Sequence, residues 1–301
     1  MKLLLTGAFN YSAEQIKSLR AVGNDIIFIQ DERVPLDIDV SEIEGVICNG
    51  LFLYNDIKQF ENLKYIQLIS VGYDRIPLDY IKDKKIKVFN ARGVYSVPMA
   101  EFAIGGIFQL VKQFGFFYEN KKKHAWNKSR TLGELIGKTA VIVGAGNIGS
   151  EIAKRLKAFD MTVIGVDIFN DSRLYFDKIE LLDNLNDQLK IADIVILTLP
   201  LTDSTANMFD KTKFSIMKDT SIFVNVARGQ LVNENDLIDA LTKKEIAGAV
   251  LDVFNSEPLD EKSPLWDFDN VILTPHNSFV GENNNKRMFD VIFKNLETFC
   301  K

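Results

Sequence analysis

Residues 139–159 read TAVIVGAGNIGSEIAKRLKAF, five residues of strand character, a glycine turn, and a run with helical apolar spacing. GAGNIG (144–149) matches G-x-G-x-x-G. Gly144 allows the tight turn, Gly146 is where a pyrophosphate would approach the backbone, and Gly149 lets the helix pack close to the strand. Ala145, Asn147 and Ile148 complete the turn, and an anion held there would rest on the unpaired N–H groups that open the helix. The next strand, MTVIGVD (161–167), ends in Asp167. A carboxylate at that point accepts hydrogen bonds from the two adenosine ribose hydroxyls and repels a 2′-phosphate, so NAD is favoured over NADP. Arg173, a few residues later, weakens that preference. A methyltransferase would also use a glycine-rich first turn and a strand-end acid, so this stretch alone leaves the enzyme class open.

Similar apolar runs recur on both sides of it. Upstream are KLLLTG (2–7), DIIFIQ (25–30), GVICNG (45–50), YIQLIS (65–70) and IKVFNA (86–91); downstream are DIVILTLP (193–200), SIFVNVA (221–227), AGAVLDVF (247–254) and NVILTP (270–275). Continuous rather than alternating apolar strands indicate parallel sheets covered on both faces, hence an α/β protein with two doubly wound domains. A boundary falls near Val97-Pro98, and MAEFAIGGIFQLVKQFGFFYEN (99–120) predicts one long helix with too many large apolar residues for a single buried stripe. That helix should pack on both sides, between domains or across a dimer interface. A last amphipathic helix is expected over 286–300.

With 301 residues the chain suits two cores. Its net charge of −5 argues against a nucleic-acid partner, which needs a concentrated basic surface. Two cysteines, Cys48 and Cys300, are too few for a disulfide framework and suggest a cytoplasmic compartment. No metal site, secretory signal or membrane span is expected. Of the two histidines, His124 follows a lysine run and reads as surface or interface.

The other is His276, at the end of NVILTP. In an open parallel sheet, ligands bind beyond the carboxyl ends of the strands. Three successive strands are followed there by Arg228, Glu257 and His276. Such a trio suits reduction of a 2-keto acid. Arginine's planar fork grips a carboxylate and polarises the adjacent carbonyl. Histidine delivers a proton to the carbonyl oxygen as hydride reaches carbon, and glutamate holds the imidazole's tautomer and orientation. Asp252, inside the apolar AVLDVF, must be paired or face a cavity; nicotinamide contact and a capped structural acid carry comparable weight.

Together these residues resemble the D-isomer-specific 2-hydroxyacid dehydrogenase family, which includes phosphoglycerate, glycerate and D-lactate dehydrogenases and glyoxylate/hydroxypyruvate reductases. The likeness runs through ISVGYDRI (69–76), VFNARGVYSVPMAEF (88–102), ELIGKTAVIVGAGNIG (134–149), LPLTDSTANM (200–208), FVNVARGQLVNENDL (223–237), GAVLDVFNSEPL (248–259) and SPLWDFDNVILTPH (263–276). The first 60 residues match only in strand pattern.

The resemblance implies an NAD-dependent oxidoreductase acting between a small 2-keto acid and its D-2-hydroxy acid, with Arg228, Glu257 and His276 in the catalytic positions. It implies a Rossmann NAD-binding domain, residues 98–282, and a flavodoxin-like discontinuous substrate domain, residues 1–97 plus 283–301. Backbone at Val71 and Gly72 would hold the substrate carboxylate, and Asn90 and Ser96 would line the cleft. Leu199, Pro200 and Thr205 would border the cofactor, and Val226, Ala227 and Asp252 its nicotinamide end. A homodimer formed through helices of the cofactor domain is also implied. The alternative is an NAD(H)-responsive protein, like the corepressors resembling this family, with little turnover.

Two departures bear on substrate. Phosphoglycerate dehydrogenases usually carry an arginine with small polar residues after the third strand. This chain has the apolar CNGLFLYN (48–55), which argues against a phosphorylated substrate such as 3-phosphoglycerate, although Arg75 and Arg92 supply charge nearby. The HNSF segment places Asn277 and Phe279 where many relatives have small or aliphatic residues.

Overall fold

The computed structural model describes residues 1–300; Lys301, the last residue of the expected substrate-domain segment, and the side chain of Cys300 lie outside the described residues. The chain forms two compact units, Met1–Tyr95 together with the segment from Gly281 onward, and Ser96–Val280.

The first unit holds strands β1 (Lys2–Thr6), β2 (Asp25–Ile29), β3 (Gly45–Cys48), β4 (Tyr65–Leu68) and β5 (Lys87–Phe89). They form an all-parallel sheet in the order β2-β1-β3-β4-β5, the flavodoxin-like arrangement. Every residue of β3 and β4 is buried because helices cover both faces. On one face Leu4, Val46, Ile66 and Leu68 pack with Ile57 and Ile81. On the other, Leu3, Leu5, Ile47 and Tyr65 meet Met288, Ile292 and Leu296, residues four apart on the helix Asn284–Cys300 and therefore on one side of it.

The second unit holds β6 (Thr139–Val143), β7 (Thr162–Asp167), β8 (Lys178–Leu181), β9 (Ile194–Leu197), β10 (Ile222–Asn225), β11 (Gly248–Leu251) and β12 (Val271–Leu273). All pair in parallel, in the order β12-β11-β10-β9-β6-β7-β8. This is the doubly wound dinucleotide-binding order extended by one strand, with its switch point between β6 and β9. Strand β8 was not foreseen. As an edge strand with exposed ends it carries the mixed sequence KIEL and lacks the apolar run that marks its neighbours.

The single helix expected over 99–120 is instead two, Ser96–Val111 and Phe114–Lys122. Gln113 turns left-handed between them, with φ 53°. The returning chain caps the first helix there. The Gly133 N–H donates to the Val111 carbonyl at 3.0 Å, Lys112 Nζ donates to the Gly133 carbonyl at 2.8 Å, and Gln113 Nε2 donates to Thr131 Oγ1 at 3.2 Å. The first helix is buried along Ala100, Ala103, Ile104 and Ile107, whereas the second buries none of its residues.

Candidate active site

The glycine turn has the shape a dinucleotide needs. Gly144 has φ +101°, and a Cβ there would lie 2.7 Å from the Leu199 backbone nitrogen. A Cβ on Gly149 would lie 2.3 Å from the Gly144 carbonyl oxygen, so strand, turn and helix are in contact. Gly146 differs: nothing stands within 4 Å of where its Cβ would be, and it opens the helix Asn147–Lys157 with no side-chain capping bond. Open space in front of uncapped N–H groups at a helix start fits a pyrophosphate. Asn147 is exposed and Ile148 half-buried beside it, while Ala145 is buried. The Ala145 N–H donates to Asp167 Oδ2 at 2.9 Å, which ties the end of β7 to the turn.

After β9, Leu199 is buried against the turn and Pro200 is exposed. Thr205, also buried, donates through Oγ1 to the Pro200 carbonyl at 2.8 Å and accepts from the Thr202 N–H at 2.7 Å. After β10, Val226 and Ala227 are buried and Arg228 Nη1 donates to the Ala227 carbonyl at 2.7 Å. Asn225, not singled out from the sequence, holds this turn from the last position of β10. Its Oδ1 accepts from the Ala227 N–H and its Nδ2 donates to the Arg228 carbonyl, both at 3.0 Å. The available signal was a lone amide inside the apolar run IFVNVA, since a buried amide must find partners.

His276 and Glu257 are brought together: Nδ1 and Oε2 are 2.7 Å apart. Glu257 Oε1 accepts the Phe254 N–H at 3.1 Å, which fixes the carboxylate. A carboxylate only accepts, so Nδ1 carries the hydrogen and Nε2 is the atom left to exchange a proton. Both side chains are more than a third exposed, and an ion pair so open to water contributes little to stability. The Phe279 ring meets the imidazole edge-on, with centroids 6.0 Å apart.

The His276 turn is braced from below by Asp252, whose side chain is fully buried. Its Oδ1 accepts from Thr274 Oγ1 at 2.7 Å and from the Asn277 N–H at 2.8 Å, and its Oδ2 accepts from the Ser278 N–H at 2.9 Å. The Asp252 carbonyl accepts the His276 N–H at 2.8 Å, and His276 sits at φ 51°, a left-handed conformation an unbraced histidine would seldom keep. Among the described residues Arg228 makes no hydrogen bond to His276 or Glu257; its loop meets the Glu257 loop where Gln230 Nε2 donates to the Asn255 carbonyl at 3.2 Å. A hollow of ≈ 620 Å³ lined by Leu201, Thr202, Asn207, Gln230 and Asn255 lies on the same loops after β9, β10 and β11.

In the first unit, the loop after β4 is held by its carbonyls. Asn90 Nδ2 donates to the Val71 carbonyl at 2.7 Å, Tyr95 Oη to the Ile69 carbonyl at 2.6 Å, and Ser70 Oγ to the Gly72 carbonyl at 3.2 Å. Among the described residues neither the Val71 nor the Gly72 N–H meets an internal acceptor, which suits an anionic group. Ser96 is buried at the start of its helix. The other histidine, His124, is exposed.

Residues 104–278 match the family model described as D-isomer specific 2-hydroxyacid dehydrogenase, NAD binding domain. The chain belongs to the D-isomer-specific 2-hydroxyacid dehydrogenase family. Among its relatives are a D-3-phosphoglycerate dehydrogenase of Methanocaldococcus jannaschii, 35% identical over 84% of this chain and 48% of that protein, and a glyoxylate reductase of Thermofilum pendens, 36% identical over 80% of this chain and 73% of that one. The chain thus spans about half the length of the first of these. The crystal structure of D-lactate dehydrogenase from Aquifex aeolicus complexed with NAD and lactic acid superposes with a TM-score of 0.78, at 25% identity, covering 99% of this chain and 95% of that one. The two parallel α/β units therefore have the architecture of that family, and the second contains its NAD-binding domain.

Proposed function

We propose that this protein is a cytoplasmic, homodimeric, NADH-dependent reductase of small, non-phosphorylated 2-keto acids, forming the D-2-hydroxy acid and running in reverse when product accumulates. The observation that carries this reading is the 2.7 Å contact between Glu257 and His276 Nδ1, which leaves Nε2 as a poised proton donor on the unit that bears the dinucleotide turn. Gly144–Gly149 and Asp167 would hold NADH, which when bound would supply the hydride. Leu199, Pro200 and Thr205 would border that cofactor and Val226 and Ala227 its nicotinamide end, while Asp252 braces the His276 turn. Arg228 polarises the keto oxygen and steadies the charge that grows on it as hydride adds to carbon. The His276 imidazolium, stabilised by Glu257, then hands its Nε2 proton to that oxygen and is left as neutral imidazole. The Val71 and Gly72 N–H groups take the substrate carboxylate, with Asn90 holding their loop.

A non-phosphorylated substrate is supported by how the chain fills its own anion-binding geometry after β3. The Asn49 N–H donates to the buried Glu32 carboxylate at 3.1 Å, the Gly50 N–H donates to the same group, and Thr6 Oγ1 donates to it at 2.6 Å. Donors that would otherwise suit a phosphate are satisfied by an internal negative charge. A homodimer is supported by Phe114, Phe116, Tyr118 and Trp126, all large and exposed on or just beyond the second short helix. Among the described residues no helix is long and apolar enough to cross a membrane.

The test is loss of NADH absorbance with pyruvate, glyoxylate, hydroxypyruvate, phosphohydroxypyruvate and branched 2-keto acids, followed by chiral analysis of the product. Turnover of the non-phosphorylated acids to D-products is expected. No turnover across the panel, or turnover of phosphohydroxypyruvate alone, overturns the assignment.

A further inference from the structure

Asp167, the acid expected to receive the adenosine ribose, is already engaged. Its Oδ2 accepts from the Ala145 N–H at 2.9 Å and from Arg173 Nη1 at 3.1 Å, and its Oδ1 accepts from the Ile168 N–H at 2.7 Å. The same Nη1 donates to the Ala145 carbonyl, in the middle of the glycine turn. The other side of the guanidinium faces Asp171, with Nη2 to Oδ1 at 2.9 Å and Nε to Oδ2 at 3.4 Å.

A carboxylate offers about four lone-pair directions. Three are used here, leaving one on Oδ1 where the two hydroxyls of an NAD ribose would call for two. The guanidinium also cancels the charge by which a lone strand-end acid repels a 2′-phosphate. Arg173 is partly exposed and its second partner, Asp171, is 64% exposed. An ion pair that open to water costs little to exchange for another anion, and arginine's fork matches phosphate as well as it matches carboxylate.

We infer that Arg173 is the specificity-determining residue of the ribose site: it neutralises Asp167 and binds the 2′-phosphate, so that the protein takes NADPH as well as NADH. The inference rests on the dinucleotide reading of Gly144–Gly149, and it extends that reading to a second cofactor that Asp167 alone would reject. In the NADPH form, Arg173 leaves Asp171 for the phosphate while its Nη1 stays on Asp167 and the Ala145 carbonyl. In the NADH form, Arg173 withdraws from Asp167 and the freed Oδ2 position receives a ribose hydroxyl.

The experiment is a titration of the intact protein with NADH and NADPH, followed by cofactor fluorescence, and with 5′-AMP and adenosine 2′,5′-bisphosphate, followed by calorimetry. No turnover is needed for either readout. Wild type should bind NADPH within roughly tenfold of NADH. Arg173→Gln should weaken NADPH and the bisphosphate by roughly tenfold or more, the scale of one lost charge-assisted bond, while leaving NADH and 5′-AMP unchanged or tighter. Asp171→Asn releases the guanidinium and should tighten NADPH alone, which decides the matter if Arg173→Gln does not fold. An unchanged NADH-to-NADPH ratio in whichever of these variants folds, or wild-type protein that binds NADH but not NADPH, overturns the role of Arg173. Binding of neither dinucleotide instead overturns the cofactor reading beneath it.

Discussion

Replacing Asp252 by asparagine removes one charge and changes almost no volume, so its effect isolates the brace under His276. In the native protein three donors, Thr274 Oγ1 and the Asn277 and Ser278 N–H groups, converge on the two carboxylate oxygens. Asparagine offers one oxygen. If it keeps the Oδ1 pair, its NH₂ faces the Ser278 N–H, donor against donor, in a site with no solvent access. If it flips, the Asn277 N–H is the one stranded. Loss of one charge-assisted bond, with a buried N–H left unpaired and the remaining bonds weakened, gives a cost of about 2–3 kcal/mol. For a unit the size of Ser96–Val280 that lowers Tm by about 4–12 °C. His276 is held at φ 51° by the same turn, so kcat should fall as the imidazole loses its bearing, while NADH affinity changes little. Calorimetric Tm, NADH titration and steady-state kinetics on the one variant decide it. A Tm within a degree or two of wild type, together with a tenfold weaker NADH affinity, would refute the brace and make Asp252 a direct cofactor contact.

Three further outcomes are expected. His276→Ala should lower kcat by roughly 10²–10⁴, the usual worth of a positioned acid–base group, and Glu257→Gln by less. Neither should shift stability by more than about 1 kcal/mol, because the pair is open to solvent; a large Tm loss in Glu257→Gln would show it to be a structural pair. Asn90→Ala frees the carbonyl of Val71 and loosens the loop assigned to the substrate carboxylate, so KM for the keto acid should rise with kcat nearly constant and NADH binding untouched; a kcat effect without a KM effect would contradict that role. Finally, the Val163 N–H, with Lys157 beyond it, holds the Asp177 carboxyl below its ordinary range. Its folded pKa being lower than its unfolded one, its contribution is complete above about pH 4 and is lost as the pH falls through the folded value. Asp177→Asn should therefore lower Tm at pH 7 and lower it less at pH 3, and an equal deficit at both pH values would contradict the linkage.

Much of this was open to reading along the chain because the signals are local. A covered parallel strand is a run of aliphatic residues, a phosphate turn is three glycines at set spacing, and a residue just beyond such a strand stands at the edge of its sheet wherever the rest of the chain goes. Those local signals put Arg228, Glu257 and His276 just beyond three successive strands, and the resemblance to 2-hydroxyacid dehydrogenases rests on the same stretches. Strand β8 and the break at Gln113 escaped because neither has a local mark. An edge strand needs no apolar run, and the first helix ends where the Gly133 N–H, twenty-odd residues later, donates to the Val111 carbonyl and the Gly133 carbonyl accepts from Lys112 Nζ.

What only the tertiary structure decided is which polar groups meet. Asp252 as an isolated acid in an apolar strand was equally a cofactor contact or a capped residue; its donors lie 22 to 26 residues away, and nothing in AVLDVF names them. Arg173 stands in a loop with no regular spacing, yet the fold sets it against Asp167 and the Ala145 carbonyl. Glu32 likewise becomes the internal anion for Asn49 and Gly50 only once β1 and β3 pair side by side. Apolar periodicity is written locally because burial is a property of each residue's face. Hydrogen-bond pairing depends on direction over a few ångströms, and the chain acquires that only when distant strands are in register.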